Sequence, residues 1–283
     1  MMRTSLHCRT AAHHAEELIS KLDVSSLPVD PFAIAKDYDI EVQSKTSSSP
    51  GVSGFLVKVG DVFGIMYATH IKNEGFIRFT VAHELGHYFL PGHPEKLFPD
   101  GHGLHESRSG FVSRDQTEEE ADHFAAALLM PTGLFKNALE EAGEGFAAID
   151  RLASLCKTSI TATAIRFAIQ SPDPVAVIVS TGQTIDYCFL SDALSEIRGM
   201  DWIRKGELVP TKSETHSFNT DKTKVTAGAK AQAWTSLDLW FDGAPEIEMK
   251  EDVVGLGTYQ KTLTVLFTDE PIADEEEPED SDD

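Results

Sequence analysis

The spacing of apolar residues in the first part of the chain predicts short helices and one hairpin. In Ala15–Leu22 ("AEELISKL") apolar residues recur three or four positions apart, the period of a helix that buries one face. The next segment, "PVDPFAIAKDYDIEVQ", predicts a second short helix that runs into a strand. Apolar residues alternate in Ser53–Ala68, which predicts two antiparallel strands joined by a turn at Gly60 and Asp61.

Two longer helices are predicted on either side of a polar stretch. The segment Phe79–His93 ("FTVAHELGHYFLPGH") predicts a helix that is capped by Thr80 and ends at Pro91-Gly92. A loop rich in Gly, His and Ser follows, from Pro94 to Gln116. A second helix is predicted over Thr117–Met130. Its apolar face is formed by Ala121, Phe124, Ala125 and Leu128.

The pattern changes from helical to strand-like at the cluster Ser171-Pro172-Asp173-Pro174. Before it, "GFAAIDRLASLC" and "TATAIRFAI" predict two helices on either side of a turn at 157–159. After it, strands are predicted for "VAVIVS", "TIDYCFL", "KAQAWTSLDLWF" and "KTLTVLF". Four aromatic residues of this part are expected in the core: Tyr187, Phe189, Trp234 and Trp240. We therefore predict an α+β protein with segments 1–133, 134–172, 173–268 and 269–283.

Charge and cysteine content restrict the classes of function. The net charge is −22, and the last fifteen residues, which hold ten acidic residues and no Lys or Arg, are predicted to be a disordered tail. The rest of the chain stays acidic, which disfavours binding to phosphate backbones. Cys8, Cys156 and Cys188 show no paired spacing, as expected in a reducing compartment. No apolar signal region and no run of eighteen apolar residues is found, so we expect a cytoplasmic protein without a membrane partner.

The pentad His83-Glu84-Leu85-Gly86-His87 has the spacing HExxH. On a helix, residues four apart lie on one face, so His83 and His87 can bind one metal ion. Neutral imidazole is a good zinc ligand, and Glu84 beside the pair can take a proton from a metal-bound water. Three fixed positions also occur by chance, but the placement on a predicted helix directly after a hairpin favours a metal.

One candidate for the third ligand is His93, six residues after His87, the offset of the metzincin motif HExxHxxGxxH. That motif needs glycine at the third residue after the second histidine, and Leu90 occupies this position. We therefore favour the interpretation that His93 is a surface residue beyond the helix end.

The other candidates are three consecutive acidic residues at the start of the second helix. Glu118 lies nearest its apolar face, Glu119 points away, and Glu120 matches a capping box with Thr117. We predict Glu118 as the third ligand and Asp122, one turn later, as a residue that orients a zinc-bound histidine. Glu119 and Glu120 remain alternative ligands, and the acids could instead simply complement the helix dipole.

The combination of "RFTVAHELGHYFL" with "EEEADHFAAALLMP" resembles the ImmA/IrrE family of zinc metallopeptidases. The resemblance implies a minimal gluzincin-like domain in which His83, His87 and a glutamate of the second helix bind zinc, or manganese in its place. It implies that Glu84 is the catalytic base. It also implies cleavage of a helix-turn-helix repressor of the XRE type, which switches on stress-response or mobile-element genes. The alternative is a module that docks a transcription factor without cleaving it, although an intact Glu84 favours the enzyme.

The remaining segments extend this resemblance. Segment 134–172 is similar to the helix-turn-helix region that follows the peptidase in IrrE-type proteins. The helix-turn-helix-like stretch "FAAIDRLASLCKTSITATAIRFAI" holds few basic residues (Arg151, Lys157, Arg166), so we expect it to pack on the peptidase or dock a substrate rather than bind DNA. The C-terminal part resembles an α+β, GAF-like region, which implies a sensor domain.

Three residues are candidates for stabilising an oxyanion: Tyr67, His102 and His105.

Overall fold

The computed structural model describes residues 5–46, 51–69, 73–107 and 115–268. These residues form helices and two sheets, so the predicted α+β class is confirmed. The chain divides into two compact units, Met1–Ala142 with Asp150–Arg166, and Gly143–Ile149 with Phe167–Asp283. The predicted acidic tail, 269–283, lies outside the described residues, and the four-segment division of the chain stays a prediction.

The first unit contains a four-stranded sheet in the order β1-β3-β2-β4. Its strands are β1 (Glu41–Lys45), β2 (Gly54–Val59), β3 (Val62–Ala68) and β4 (His102–Ser107). The predicted hairpin is confirmed, since β2 and β3 are antiparallel around Gly60, whose φ is +62°. The prediction of a loop over 94–116 is wrong where β4 pairs with β2. An edge strand whose side chains are mostly exposed carries no apolar alternation that would reveal it.

Some helices of this part of the chain are longer than their sequence patterns indicate. They are α1 (Leu6–Lys21), α2 (Pro31–Asp37), α3 (Glu74–Phe89), α4 (His93–Leu97), α5 (Gln116–Leu129), α6 (Thr132–Ala142), α7 (Gly145–Cys156) and α8 (Ile160–Gln170). α1 begins well before its predicted start, because Ser5 caps it by accepting a hydrogen bond from the Cys8 amide. α4 also lies within the predicted loop.

The helix α3 carries the HExxH pentad and is almost entirely buried. Its N-cap is Asn73, whose side chain accepts from the Phe76 amide at 3.0 Å, so the prediction that Thr80 caps it is wrong. The ten consecutive residues 78–87 are buried. A helix enclosed on all sides has no polar face, which is why its periodicity did not reveal the first turns. Its end at Phe89 agrees with the predicted stop at Pro91-Gly92.

The helices α3 and α5 pack closely because of Gly86. A methyl group on Gly86 would lie 3.2 Å from the Ala121 Cα and 3.2 Å from the Phe124 ring. The predicted apolar face of α5 is confirmed, since its four residues are fully buried. The predicted cap is wrong, because α5 begins one residue earlier and Asp115 accepts from the Thr117 amide at 2.8 Å. The start of α5, with its three acids, is thereby held close to the pentad.

The helices α7 and α8 are confirmed on either side of the predicted turn. The basic side chains Arg151 of α7, Lys157 of the turn and Arg166 of α8 are engaged within the first unit. Arg151 donates to the Ala142 carbonyl, and Lys157 forms an ion pair with Glu74. Arg166 donates to the Met130 carbonyl from Nε at 3.1 Å and from Nη2 at 2.8 Å.

The second unit contains a five-stranded antiparallel sheet in the order β6-β5-β9-β8-β7. Its strands are β5 (Val175–Thr181), β6 (Thr184–Leu190), β7 (Lys230–Ser236), β8 (Glu248–Gly255) and β9 (Thr262–Phe267). Four short helices accompany them: α9 (Asp192–Ser195), α10 (Glu214–Thr220), α11 (Lys222–Thr226) and α12 (Leu237–Trp240). Thus the end of the run "KAQAWTSLDLWF", predicted as strand, is helical.

The strand β8 was not predicted because it buries two acidic residues. Glu251 is fully buried and accepts hydrogen bonds from the amide and the hydroxyl of Thr215, both at 2.7 Å. Asp252 accepts from the Phe146 amide at 2.8 Å. These bonds satisfy charges that in the sequence indicate an exposed segment.

Trp240 lies in the core of this unit as predicted, whereas Trp234 is 63% exposed, so its assignment to the core is wrong. Tyr187 and Phe189 are half-buried on β6. None of the described helices is long and apolar enough to cross a membrane.

Candidate metal centre

Three potential ligands from α3 and α5 meet inside the first unit. The Nε2 atoms of His83 and His87 are 3.1 Å apart, and both rings are fully buried. The carboxylate of Glu118 faces them, with Oε2 3.4 Å from His83 Nε2 and Oε1 3.3 Å from His87 Nε2. One helix turn separates the histidines, and the close approach at Gly86 supplies the glutamate from the other helix.

The separations of these atoms fit a tetrahedral metal ion. Zinc bonds to nitrogen and oxygen are about 2.0–2.1 Å long, which places neighbouring ligand atoms about 3.3 Å apart. The observed separations of 3.1, 3.3 and 3.4 Å match that figure. Two imidazoles and a carboxylate, with an open fourth position, are also the donor types that a catalytic zinc site uses. The residues present therefore fit this metal.

A buried carboxylate contacts the side of His83 that faces away from the ligand cluster. Asp122 is 2% exposed, and its Oδ1 lies 2.8 Å from His83 Nδ1, the ring nitrogen that faces away from the ligand cluster. Burial opposes protonation of His83, but the carboxylates of Asp122 and Glu118 outweigh it and raise its pKa to about 10. Burial lowers the pKa of His87 to about 3. A hydrogen bond from His83 Nδ1 to Asp122 leaves Nε2 directed at the cluster.

His87 also has polar neighbours on the side of its ring that faces away from the ligand cluster. Its Nδ1 is 3.1 Å from Nδ1 of His93, and His93 Nε2 is 2.7 Å from Oε2 of Glu120. His93 is thus on the edge of the His87 ring that faces away from the ligand cluster, not at the place of a metzincin ligand. The expectation that it is a surface residue is also wrong, because it is only 4% exposed. Glu120, an alternative ligand in the sequence, is instead the partner of His93.

The carboxylate of Glu84 is fully buried beside the pentad histidines. Neither of its oxygens has a hydrogen-bond partner among the described residues. Burial raises its pKa to about 7. Gly54 of β2 makes room for it, since a methyl group there would lie 2.4 Å from Glu84 Oε1. A buried oxygen pair without a partner is the kind of group that a bound cation or water would satisfy.

Of the three oxyanion candidates, His105 is the one that contacts the cluster. Its Nε2 donates to Oε1 of Glu118 at 3.0 Å. Burial opposes ionisation of Glu118, but hydrogen bonds from His105, His83 and His87 outweigh it and hold its pKa well below its usual range. His102 is exposed and donates to the Asp100 carbonyl, and Tyr67 packs edge-on against Phe32. The contact of His105 with a ligand was not foreseen, because it depends on the pairing of β4.

The three consecutive acids of α5 have three different environments. Glu118 faces His83 and His87, whereas Glu120 binds His93. Glu119 points toward α1, where its Oε2 lies 3.6 Å from Nε2 of His7. The ordering of these acids around the helix agrees with the helical spacing that singled out Glu118.

Comparison with known proteins connects the cluster to a peptidase family. Residues 35–167 match the family model of peptidase M78, the IrrE N-terminal-like domain. Among solved structures, a Mycobacterium tuberculosis transcriptional regulator is similar, with a TM-score of 0.57 and 14% sequence identity over 91% of this chain and 76% of that chain. At that identity the likeness concerns the fold. No curated protein sequence matches the chain.

Proposed function

Because the chain carries an IrrE N-terminal-like domain of the peptidase M78 family over residues 35–167, we propose that it is a zinc-dependent endopeptidase. The observation that carries this proposal is the convergence of His83, His87 and Glu118 at tetrahedral separations beside the buried Glu84. The two histidines and Glu118 would hold zinc, or manganese in its place. The metal, when bound, supplies Lewis-acid chemistry at the scissile carbonyl and an acidic water.

Glu84 is the residue that we assign to proton transfer. A general base works best when its pKa lies near the working pH, and burial raises that of Glu84 to about 7. Its carboxylate can take up a proton at one oxygen and return it to the leaving amine. The absence of hydrogen-bond partners among the described residues keeps both oxygens available for this exchange.

Two buried series of hydrogen bonds determine the tautomers of the ligand histidines. Asp122 accepts the Nδ1 proton of His83. On the other side, His93 donates from Nε2 to Glu120, so its Nδ1 accepts the Nδ1 proton of His87. Each ligand histidine therefore presents the unprotonated Nε2 to the metal, and we assign Asp122 and His93 as positioning residues.

The proposed substrate is a helix-turn-helix repressor of the XRE type, whose cleavage would switch on stress or mobile-element genes in the cytoplasm. The peptidase family supports a protein substrate, and the similar structure is described as a transcriptional regulator. The basic side chains of α7, α8 and the turn between them are engaged in contacts within the first unit, which supports action on a protein rather than on DNA. The C-terminal GAF-like sensor role remains part of this proposal.

The test compares wild type with Glu84→Gln, Glu118→Ala and Glu106→Gln, a control at an exposed carboxylate of β4. Each variant is expressed in cells, new protein N-termini are identified by mass spectrometry, and metal content is measured on the purified protein. We expect wild type and Glu106→Gln to generate new N-termini in repressors. Glu84→Gln should keep its zinc and its binding to those repressors but generate none.

Glu118→Ala should lose one zinc equivalent relative to wild type, together with cleavage. Repressor release that persists in Glu84→Gln, without new N-termini in any sample, would overturn the peptidase and leave a module that docks a transcription factor.

A further inference from the structure

A second group of metal-binding side chains lies between α1 and α5, apart from the ligand cluster. It consists of His7 and Cys8 at the start of α1 and Glu119 in the first turn of α5. Each offers one ligand atom, and the three atoms lie within 4.8 Å of one another. α1 packs along α5, so the group bridges two helices that are far apart in the sequence.

The three ligand atoms lie close enough together for one ion to contact all of them after side-chain rotation. Around tetrahedral zinc, sulfur, nitrogen and oxygen ligands lie about 3.3–3.6 Å apart. Cys8 is buried and fixed, whereas the side chains of His7 and Glu119 are 32% and 43% exposed and can rotate toward it.

Negative charge lies close to Cys8, because the carboxylates of Glu119, Glu120 and Asp122 all act on its thiol. A positive ion bound next to Cys8 would be attracted by these carboxylates and would displace the thiol proton. Zinc supplies this charge and is bound by this combination of sulfur, nitrogen and oxygen ligands.

We propose that His7, Cys8 and Glu119 form a second zinc site, which fastens α1 to α5. Binding forms a Zn–S bond and releases the thiol proton to solvent, and His7 exchanges its 3.0 Å contact with the Ser5 hydroxyl for the ion. The site does not depend on the proposed peptidase activity. His7 and Cys8 precede the matched residues 35–167, so the site is a property of this chain rather than of the matched domain.

The consequence of the site concerns the helix that carries Glu118. Glu119 lies between Glu118, of the first cluster, and Glu120, the partner of His93. An ion held by Glu119 therefore stabilises the same first turn of α5 from its opposite side. Occupancy should raise the melting temperature of the protein in the presence of zinc, because the ion binds only the folded arrangement of the two helices.

The test titrates the metal-free full chain with Co²⁺ in the presence of a phosphine reductant. A tetrahedral cobalt site absorbs in the visible, and a cysteine ligand adds a thiolate-to-cobalt charge-transfer band in the near ultraviolet. We expect this band in wild type and its displacement by zinc. It should be lost in Cys8→Ser but kept in Cys156→Ser and Cys188→Ser, the matched controls.

Cys8 is buried, so Cys8→Ser could lose the band by failing to fold. Variants of the two partly exposed ligands test the site without this problem. In Glu119→Gln and His7→Gln the affinity for the ion that produces the charge-transfer band should fall at least about tenfold, since even a residue behind a ligand affects affinity by that factor. Glu118→Ala should keep the band, so failure of the first cluster is distinguishable from failure of this site. A wild-type protein without the band, a band that survives Cys8→Ser, or unchanged affinity in both Glu119→Gln and His7→Gln would overturn the proposal.

Discussion

The burial of Glu84 should make the metal-free protein less stable as the pH rises. Burial raises the pKa of Glu84 from its ordinary 4.5 to about 7. Below pH 4.5 the Glu84 carboxyl is protonated in both the folded and the unfolded chain. Its raised pKa then does not lower the free energy of unfolding. Between 4.5 and 7 the unfolded chain loses the proton while the folded chain keeps it. The free energy of unfolding therefore falls over this window and stays reduced above it.

The magnitude follows from the difference between the two pKa values. At 1.36 kcal/mol per unit of pKa, ionisation in the unfolded state lowers the stability by about 3 kcal/mol at pH above 7. Glu84→Gln has nearly the same shape and cannot ionise. The free-energy cost of burying the neutral amide side chain in this variant does not depend on pH. The stability of Glu84→Gln relative to wild type should thus rise by about 3 kcal/mol between about pH 4 and about pH 8.

The assay is urea unfolding of both proteins in the presence of a chelator, at several pH values. All three tryptophans (Trp202, Trp234, Trp240) lie in the second unit, so far-ultraviolet circular dichroism is the better probe of the first. Titrating groups that do not interact with Glu84 are common to both proteins and cancel in the difference, whereas His83, whose pKa the charge of Glu84 helps to raise, does not. A difference that does not change with pH would show that Glu84 ionises freely in the folded chain, and the argument for its role as a buried base would fail.

Three further substitutions test how the site is held. Asp122→Asn should lower zinc affinity about 10–100-fold in competition with a chromogenic chelator, and wild-type affinity would refute its orienting role. Gly54→Ala puts a methyl group 2.4 Å from a Glu84 oxygen, so cleavage of an identified substrate should slow on the order of 100-fold with zinc content unchanged. Gly64→Ala is the control in the same sheet, because its methyl meets no atom closer than 3.6 Å, and equal rates in the two variants would contradict the prediction. Gly86→Ala should push α3 from α5 and lower both the melting temperature and zinc affinity, and wild-type values for both would show that the close approach is not needed.

The parts of the site that the sequence could predict depend on local geometry. His83 and His87 meet because residues four apart share a helix face, whatever the rest of the fold does. Glu118 could be ranked above Glu119 and Glu120 because its angle around α5 lies nearest the apolar residues. The hairpin of β2 and β3 followed from alternation and a turn, which are likewise local properties.

The parts that could not be predicted depend on contacts between distant segments. His93 reaches Glu120 only because the chain turns at Pro91-Gly92 and returns to the start of α5, and no spacing encodes that path. His105 reaches Glu118 only because β4 pairs with β2. Buried charges also hide a strand from sequence-based prediction. Glu251 makes β8 look like an exposed segment, although it is buried and its carboxylate accepts hydrogen bonds. Tertiary partners decide all three cases.

Arg166 has a practical consequence for anyone who wishes to isolate the first unit. Its guanidinium holds the Met130 carbonyl at the end of α5, donates to Thr132, and lies 3.6 Å from the Glu16 carboxylate of α1. A fragment truncated at residue 133 would keep every metal ligand and yet lose the side chain that ties these helices together. The exposed Met130 carbonyl and the loss of the cation beside Glu16 would favour aggregation or proteolysis. A fragment intended for crystallisation should therefore extend beyond Arg166 and include α1.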